Sequence, residues 1–253
     1  MAIDTADAVY IQLSYSAALS VYSASGTLFT TVALVSTAPD ICVIKYNTSG
    51  TALFAIKAGS TNDVLGGCVV DPSTNNFYVF FSGSNPTNIY DAAGVLQKTF
   101  AGGAYIIKYS STGSFLWAVR MFTTQGTQLY NLSLTPAGEP VGYGLYTGGA
   151  TSVALTFYNT SDAAVTTRAS STFNQDFIVK YDGNGTYVYN TTITGTAAGV
   201  GVAMFDAKTS GVQALAGGYS ATSVPSFKNP TDTVQSTLTS IGGTDMFLAR
   251  YVF

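Results

Sequence analysis

Short runs of alternating apolar and polar residues, about five to eight long, recur along this chain and are separated by clusters of Gly, Asn, Asp, Ser and Pro. No run keeps the three-to-four spacing of an amphipathic helix. Alternation with period two, bounded by turn residues, predicts half-buried strands joined by tight turns. Fifteen strands follow from it. They include Val9 to Tyr15, Leu19 to Ser23, Cys42 to Tyr46 and Leu53 to Lys57, then Val64 to Asp71, Phe77 to Phe81, Tyr105 to Tyr109 and Phe115 to Phe122. Leu129 to Leu134, Val141 to Tyr146, Phe177 to Tyr181 and Thr186 to Thr192 follow, and Val200 to Phe205, Val212 to Tyr219 and Met246 to Tyr251 close the series.

One phrase in this pattern repeats. Val43-Ile44-Lys45-Tyr46, Ile106-Ile107-Lys108-Tyr109, Ile178-Val179-Lys180-Tyr181 and Leu248-Ala249-Arg250-Tyr251 stand at intervals of roughly 70 residues. Three copies run on into a turn ending in glycine, at Gly50, Gly113 and Gly185, and then into an apolar strand. Self-similarity at a fixed period means stacked supersecondary units. Four strands per unit, with long variable connections in the middle, describe a β-propeller blade. The expected fold is therefore all-β: one domain over residues 1–253, a β-propeller of about four four-stranded antiparallel blades spanning approximately 8–57, 64–122, 129–192 and 200–251. The fourth unit lacks a closing strand. Ala2-Ile3-Asp4-Thr5 precedes the first predicted strand, so this segment is a candidate to close the ring. The alternative is that the open edge pairs with another subunit by strand addition.

Tyr105-Ile-Ile-Lys-Tyr-Ser-Ser-Thr-Gly-Ser-Phe-Leu-Trp-Ala118 resembles the bacterial-type β-propeller repeat, as do Asp176-Phe-Ile-Val-Lys-Tyr181 and Gly-Gly-Thr-Asp-Met-Phe-Leu-Ala-Arg-Tyr251. The resemblance covers nearly the whole chain. It implies a propeller of surface or secreted character and no particular chemistry.

Composition narrows the function. With 9% charged and 47% hydrophobic residues, the chain has the make-up of a folded protein with a weakly charged surface, a poor guard against association. Net charge is −3 and the ten Lys and Arg are scattered, which argues against a nucleic-acid partner. No apolar run approaches the ~18 residues of a membrane helix. The N-terminus carries no classical signal peptide. Cys42 and Cys68 stand in apolar runs and read as buried thiols, with a disulfide as the alternative.

The candidate chemistry is sparse. There is no histidine, which removes Ser-His-Asp and Cys-His catalysis. Asp71 and Asp206 hold matching places at strand ends, where the third unit has Thr135, and so read as turn residues rather than glycosidase carboxylates. Asp182-Gly-Asn-Gly185 begins like a calcium loop but lacks the remaining ligands. Lys45, Lys108, Lys180 and Arg250 would form a ring, either to bind an anion or to pack along the sheet and pair with the Asp that begins the strand (Asp40, Asp176, Asp245). The aromatics of the long connections, Tyr90, Phe100, Phe157, Tyr158, Phe173 and Phe227, either pack locally or offer a binding surface to proteins or sugars. Asn47, Asn131, Asn159, Asn184 and Asn190 are glycosylation sequons if the chain meets a secretory route.

These readings lead to a non-enzymatic structural or adhesive component, self-associating or bound to another surface protein, with no cofactor or metal. It would be extracellular, at the cell surface or on a virus particle. The alternative is a glycan-binding propeller.

Overall fold

The computed structural model describes all residues except 38, 85, 149–152, 170–174, 195–202, 208–211, 221–224, 232, 240–243 and 253. The described residues form strands and turns with no helix. Two compact units divide the chain, Met1–Arg120 and Met121–Phe253.

In the first unit the opening repeat contains β1 (Ala2–Ile3), β2 (Val9–Tyr15), β3 (Leu19–Tyr22), β4 (Leu28–Val32), β5 (Asp40–Tyr46) and β6 (Ala52–Gly59). The second repeat contains β7 (Asp63–Val70), β8 (Phe77–Gly83), β9 (Thr87–Tyr90), β10 (Leu96–Phe100), β11 (Gly103–Tyr109) and β12 (Phe115–Phe122), whose last two residues belong to the second unit. The third repeat comprises β13 (Thr127–Leu134), β14 (Pro140–Tyr146), β15 (Ala154–Tyr158), β16 (Ala164–Ala169), β17 (Gln175–Tyr181) and β18 (Tyr187–Thr194). The fourth comprises β19 (Ala203–Ala207), β20 (Val212–Ser220), β21 (Ser226–Lys228), β22 (Val234–Thr237) and β23 (Thr244–Val252).

In the first three repeats four strands pair in sequence order, as in β7-β8-β11-β12 and the antiparallel β13-β14-β17-β18, and in the fourth the described residues give β19-β20-β23. The repeated phrase lies on the third of these strands. It reads as a continuous apolar run because that strand is covered on both faces: every residue of β11 is buried. The fourth strand has one open face and alternates, as the burial of β6 shows.

The long connections hold what the alternation pattern missed in three of the repeats. Each is a β-hairpin: β3-β4, β9-β10, β15-β16 and β21-β22. Three of these hairpins add to the fourth strand of the preceding repeat. β9 pairs with β6 at Ala58↔Ile89, β15 with the last two residues of β12 at Met121↔Phe157, and β21 with β18 at Ile193↔Phe227.

The first repeat departs from expectation. Leu19 to Ser23 is not its second main strand but begins the hairpin, and Val9 to Tyr15 pairs with β5 in that second place. Its first strand is Ala2–Ile3, which joins β2 through Ala2↔Tyr10 and Ile3↔Val9. The physical reason is register. With Tyr10 opposite Lys45, the apolar residues of β2 stay on the faces that β5 buries, and a slip would turn them outward.

One core cluster of the first unit joins its two repeats: Ile41, Val43 and Ile56 meet Phe77, Val79, Tyr105 and Ile107. Rings line this seam, with Phe77 stacked on Tyr109 at 5.3 Å between centroids and tilted against Tyr10 at 4.8 Å. A separate cluster packs Val21 and Val32 of the β3-β4 hairpin on Cys42 and Ile44. In the second unit Val141, Tyr143, Ile178 and Ile193 of repeat three meet Phe227 and Phe247 of repeat four. Cys42 and Cys68 are buried free thiols in different clusters, and burial pushes the Cys42 thiol up to about 12.

Candidate functional site

A five-residue turn closes several of the hairpins and uses Asn47, Asn159 and Asp182 among the side chains singled out in the sequence. Its first side chain accepts the amides two and four residues on. Asn47 does so from Ser49 and Thr51, Asp91 from Ala93 and Val95, Asn159 from Ser161 and Ala163, and Asp182 from Asn184 and Thr186. The fourth residue is left-handed, usually glycine, as at Gly50 (φ 73°), Gly113 (φ 86°) and Gly185 (φ 80°). The Asp182 carboxylate is thus engaged by its own backbone. Burial works to raise its pKa, but those amides outweigh it and hold the group below the usual carboxylate range. Asp71 is likewise a turn residue: it accepts from the Ser73 amide, the Ser73 hydroxyl and the Thr74 hydroxyl. No group of three or more Cys, Asp or Glu side chains among the described residues could hold a metal.

In repeats one and three the basic residue of the phrase pairs, but not with the Asp that begins its strand. Lys45 is buried, with Nζ 3.0 Å from Asp4 Oδ2, 4.8 Å from the centre of the Tyr10 ring, and donating to the Ser111 carbonyl at 3.1 Å. Lys108 is buried over the Tyr78 ring at 5.1 Å, and Lys180 reaches Glu139 at 2.7 Å. These acids lie at or near the turn between the first and second strands, the end of the sheet that the basic residue reaches. The strand-opening acids lie four or five residues back, towards the other end. Asp40 spends its carboxylate there on the Val35 and Ser36 amides and the Ser36 hydroxyl, with the Val35 bond at 2.5 Å. Arg250 alone of the four is exposed.

Asp4 and its neighbours are engaged within the first unit. Asp4 binds Lys45 and accepts the Ala6 and Ala8 amides, and Thr5 bonds the side chain of Asn75. Ala2 and Ile3 lie on β2.

Among the described residues the connection aromatics form no exposed platform. Phe100 and Phe157 are buried, as is Phe227, while Tyr90 and Tyr158 are half-buried and Phe173 lies outside the described residues. Of the two alternatives the described side chains take local packing: the connections are hairpins, and their inward residues pack on the third strand of their own repeat. Phe100 stacks on Tyr105, Phe157 meets Phe177 edge-on and Phe227 meets Phe247 edge-on. The carbonyls of Tyr90 and Tyr158 accept the hydroxyls of Tyr109 and Tyr181.

Of the sequon asparagines, Asn184 is exposed, while Asn47, Asn131 and Asn159 are half-buried. Asn190 is buried, and its Nδ2 donates to the Tyr187 hydroxyl at 2.6 Å.

The surface that stands out was not singled out in the sequence. It is the face of β23. Met246 and Leu248 stand four and two residues before the basic residue. At these positions the earlier repeats carry Ile41 and Val43, Ala104 and Ile106, and Asp176 and Ile178, all buried to 2% exposure or less. Met246 is 85% exposed and Leu248 76%. In the first unit the same face of repeat one is covered by the strands of repeat two. Beside β23, facing the β21-β22 hairpin, lies a cavity of about 500 Å³ lined by Phe227, Pro230, Leu238, Phe247, Ala249 and Arg250 among others.

No family model matches the chain. Over 163 residues it is 25% identical to an uncharacterized WD repeat-containing protein of Acanthamoeba polyphaga mimivirus, a stretch that covers 62% of this chain and 11% of that relative. The antiparallel four-strand repeats and this likeness describe an all-β chain of the β-propeller type.

Proposed function

We propose that the chain is a non-enzymatic protein-interaction scaffold of bacterial-type β-propeller repeats, serving as a self-associating structural component of a cell surface, secreted matrix or virus particle. The observation that carries this reading is the uncovered face of β23. Met246 and Leu248 hold places that the other repeats bury, and covering each would contribute about 1.5–3 kcal/mol. Low surface charge supports it, since little repulsion opposes association. So does the use of the turn acids and of three of the four phrase cations in the scaffold itself. The viral source of the WD repeat-containing relative is in keeping with the virus-particle setting.

Light scattering over a wide concentration range tests it. Association is expected to grow with concentration and to be lost when Met246→Asp and Leu248→Asp are combined, with the β-sheet spectrum unchanged. A wild-type chain that stays monomeric at every concentration would overturn self-association.

A further inference from the structure

We infer that the groove between β4 and the tip of the β9-β10 hairpin receives an arginine side chain of a partner polypeptide. The inference goes beyond the scaffold reading: it concerns the first unit alone and holds whether or not the chain associates through β23.

The groove has a volume of about 290 Å³ and is lined by Thr30, Val32, Ala55, Lys57, Asp91 and Ala92 among others. Three of these residues have counterparts in repeat three that show what such a place can hold. Register fixes the correspondence. Val32 pairs with Leu19, three residues before the end of β3, and Arg168 pairs with Leu155, three residues before the end of β15. Lys45 of the phrase pairs with Phe54, next to Ala55, and Lys180 pairs with Tyr189, next to Asn190. Asp91 accepts the amides two and four residues on, as Asn229 does, so Ala92 corresponds to Pro230.

At the repeat-three place the space is bridged. The Arg168 guanidinium donates from Nε to the Asn190 side chain, and from Nη2 to the Asn190 carbonyl at 3.1 Å and to the Pro230 carbonyl. One planar fork thereby ties β16, β18 and the next hairpin tip together. In repeat one Val32 is too short to cross, and the same span stands open. In repeat two the residue is Phe100, whose ring stacks on Tyr105 and cannot bridge by hydrogen bonds.

The open groove keeps the main chain of Ala55 and Ala92 at the places where Arg168 finds its carbonyl acceptors, and it sets the Asp91 carboxylate where the bridged place has the neutral Asn229. A guanidinium entering from outside therefore meets acceptors and a negative charge, the setting in which its hydrogen bonds are strongest. Lys57, which stands where repeat three has Thr192, opposes it; the Lys57 ammonium lies over the Tyr90 ring, 4.8 Å from its centre. The occupant is placed on a polypeptide because the bridge it copies is a side chain delivered by an extended strand.

The probe is the blocked peptide acetyl-Gly-Ser-Arg-Ser-Gly-amide, titrated into the full chain and followed by the backbone amide shifts of residues 30–33 and 91–94. Saturable shifts with a dissociation constant of about 1 mM or below are expected, at least about fivefold tighter than for the same peptide with Lys in place of Arg. Asp91→Asn keeps the turn, as Asn159 and Asn229 do, and should weaken binding about threefold; Lys57→Thr should tighten it by a similar factor. Val32→Arg combined with Ala55→Asn should close the groove from within and abolish binding. Absence of shifts in the wild-type chain would overturn the proposal. So would equal binding of the Lys peptide, tighter binding of a Phe peptide, or affinity that neither Asp91→Asn nor Lys57→Thr changes. Free arginine binding more tightly than the peptide would make this a small-molecule site and overturn the donor named here. Self-association is read separately by light scattering: a monomer that binds the peptide removes self-assembly and keeps this site, and an oligomer blind to the peptide does the reverse.

Discussion

Asp176 is the side chain most at odds with its surroundings. It is 1% exposed, and among the described residues the Tyr143 hydroxyl interacts with its carboxylate without the two forming a well-shaped hydrogen bond. Asp40, at the opening of β5, is satisfied by the loop before it; Asp176 stands one register position further along its strand, opposite Leu145 and Ile193 rather than at the sheet end. Burial pushes its carboxyl up to about 7. An acid whose folded pKa lies above its unfolded one binds its proton more tightly when folded. Its stabilising contribution is full below the ordinary value of about 4 and is lost as pH rises through about 7. Asp63, raised by burial to about 6 despite its bonds to Ser60, acts in the same direction. Thermal melts should therefore show a more stable protein at pH 5 than at pH 8. Asp176→Asn should flatten most of that difference and stabilise the protein at pH 8 by about 2 kcal/mol. A profile unchanged by the substitution would mean that the carboxylate is satisfied when ionised.

At the scale of the element, turns and strand ends carry unequal loads. Gly113 and Gly94 are both left-handed, at φ 86° and 75°. A Cβ on Gly113 would meet the Ala92 Cβ at 2.5 Å, whereas nothing lies within 4 Å of one on Gly94. Gly94→Ala should cost about 1 kcal/mol, the backbone penalty alone, and Gly113→Ala about 2–3 kcal/mol, because the hairpin tip must also move. Urea unfolding of the two variants measures the difference. The N-terminal segment is tested in the same way. Removing residues 1–7 takes away β1 and leaves Lys45 buried without Asp4, so stability should fall by about 3 kcal/mol. An unchanged midpoint would show that Lys45 finds solvent. The strands and their closing turns were legible in the sequence because alternation and left-handed glycine are local requirements. The hairpins inside the connections were not, because residues such as Thr87–Tyr90 and Ser226–Lys228 are too short to show a period and are held by the preceding repeat.

At the scale of the whole molecule, the balance of surface charge and exposed apolar area governs behaviour. Net charge is only −3, and the face carrying Met246 and Leu248 is apolar, so association through it should survive added salt and weaken on cooling, as hydrophobic contacts do. Light scattering at low and high ionic strength, and at two temperatures, measures both. Association that dissolves in salt would point to charge pairing instead and away from this face.

The amino-acid sequence by itself determined the all-β class, the fourfold repeat, the place of the buried third strand and the five-residue turns. Each follows from residues within a few positions of one another: the period of two, the glycine at φ above zero and the Asn or Asp that caps its own backbone. Only the tertiary structure decided that Ala2–Ile3 is a first strand, that Phe100, Phe157 and Phe227 are core, that Lys45 answers Asp4 and that one face of repeat four is left open. Those outcomes depend on which strand lies beside which across tens of residues, and identical local patterns are buried or exposed according to whether a neighbouring repeat is there to cover them.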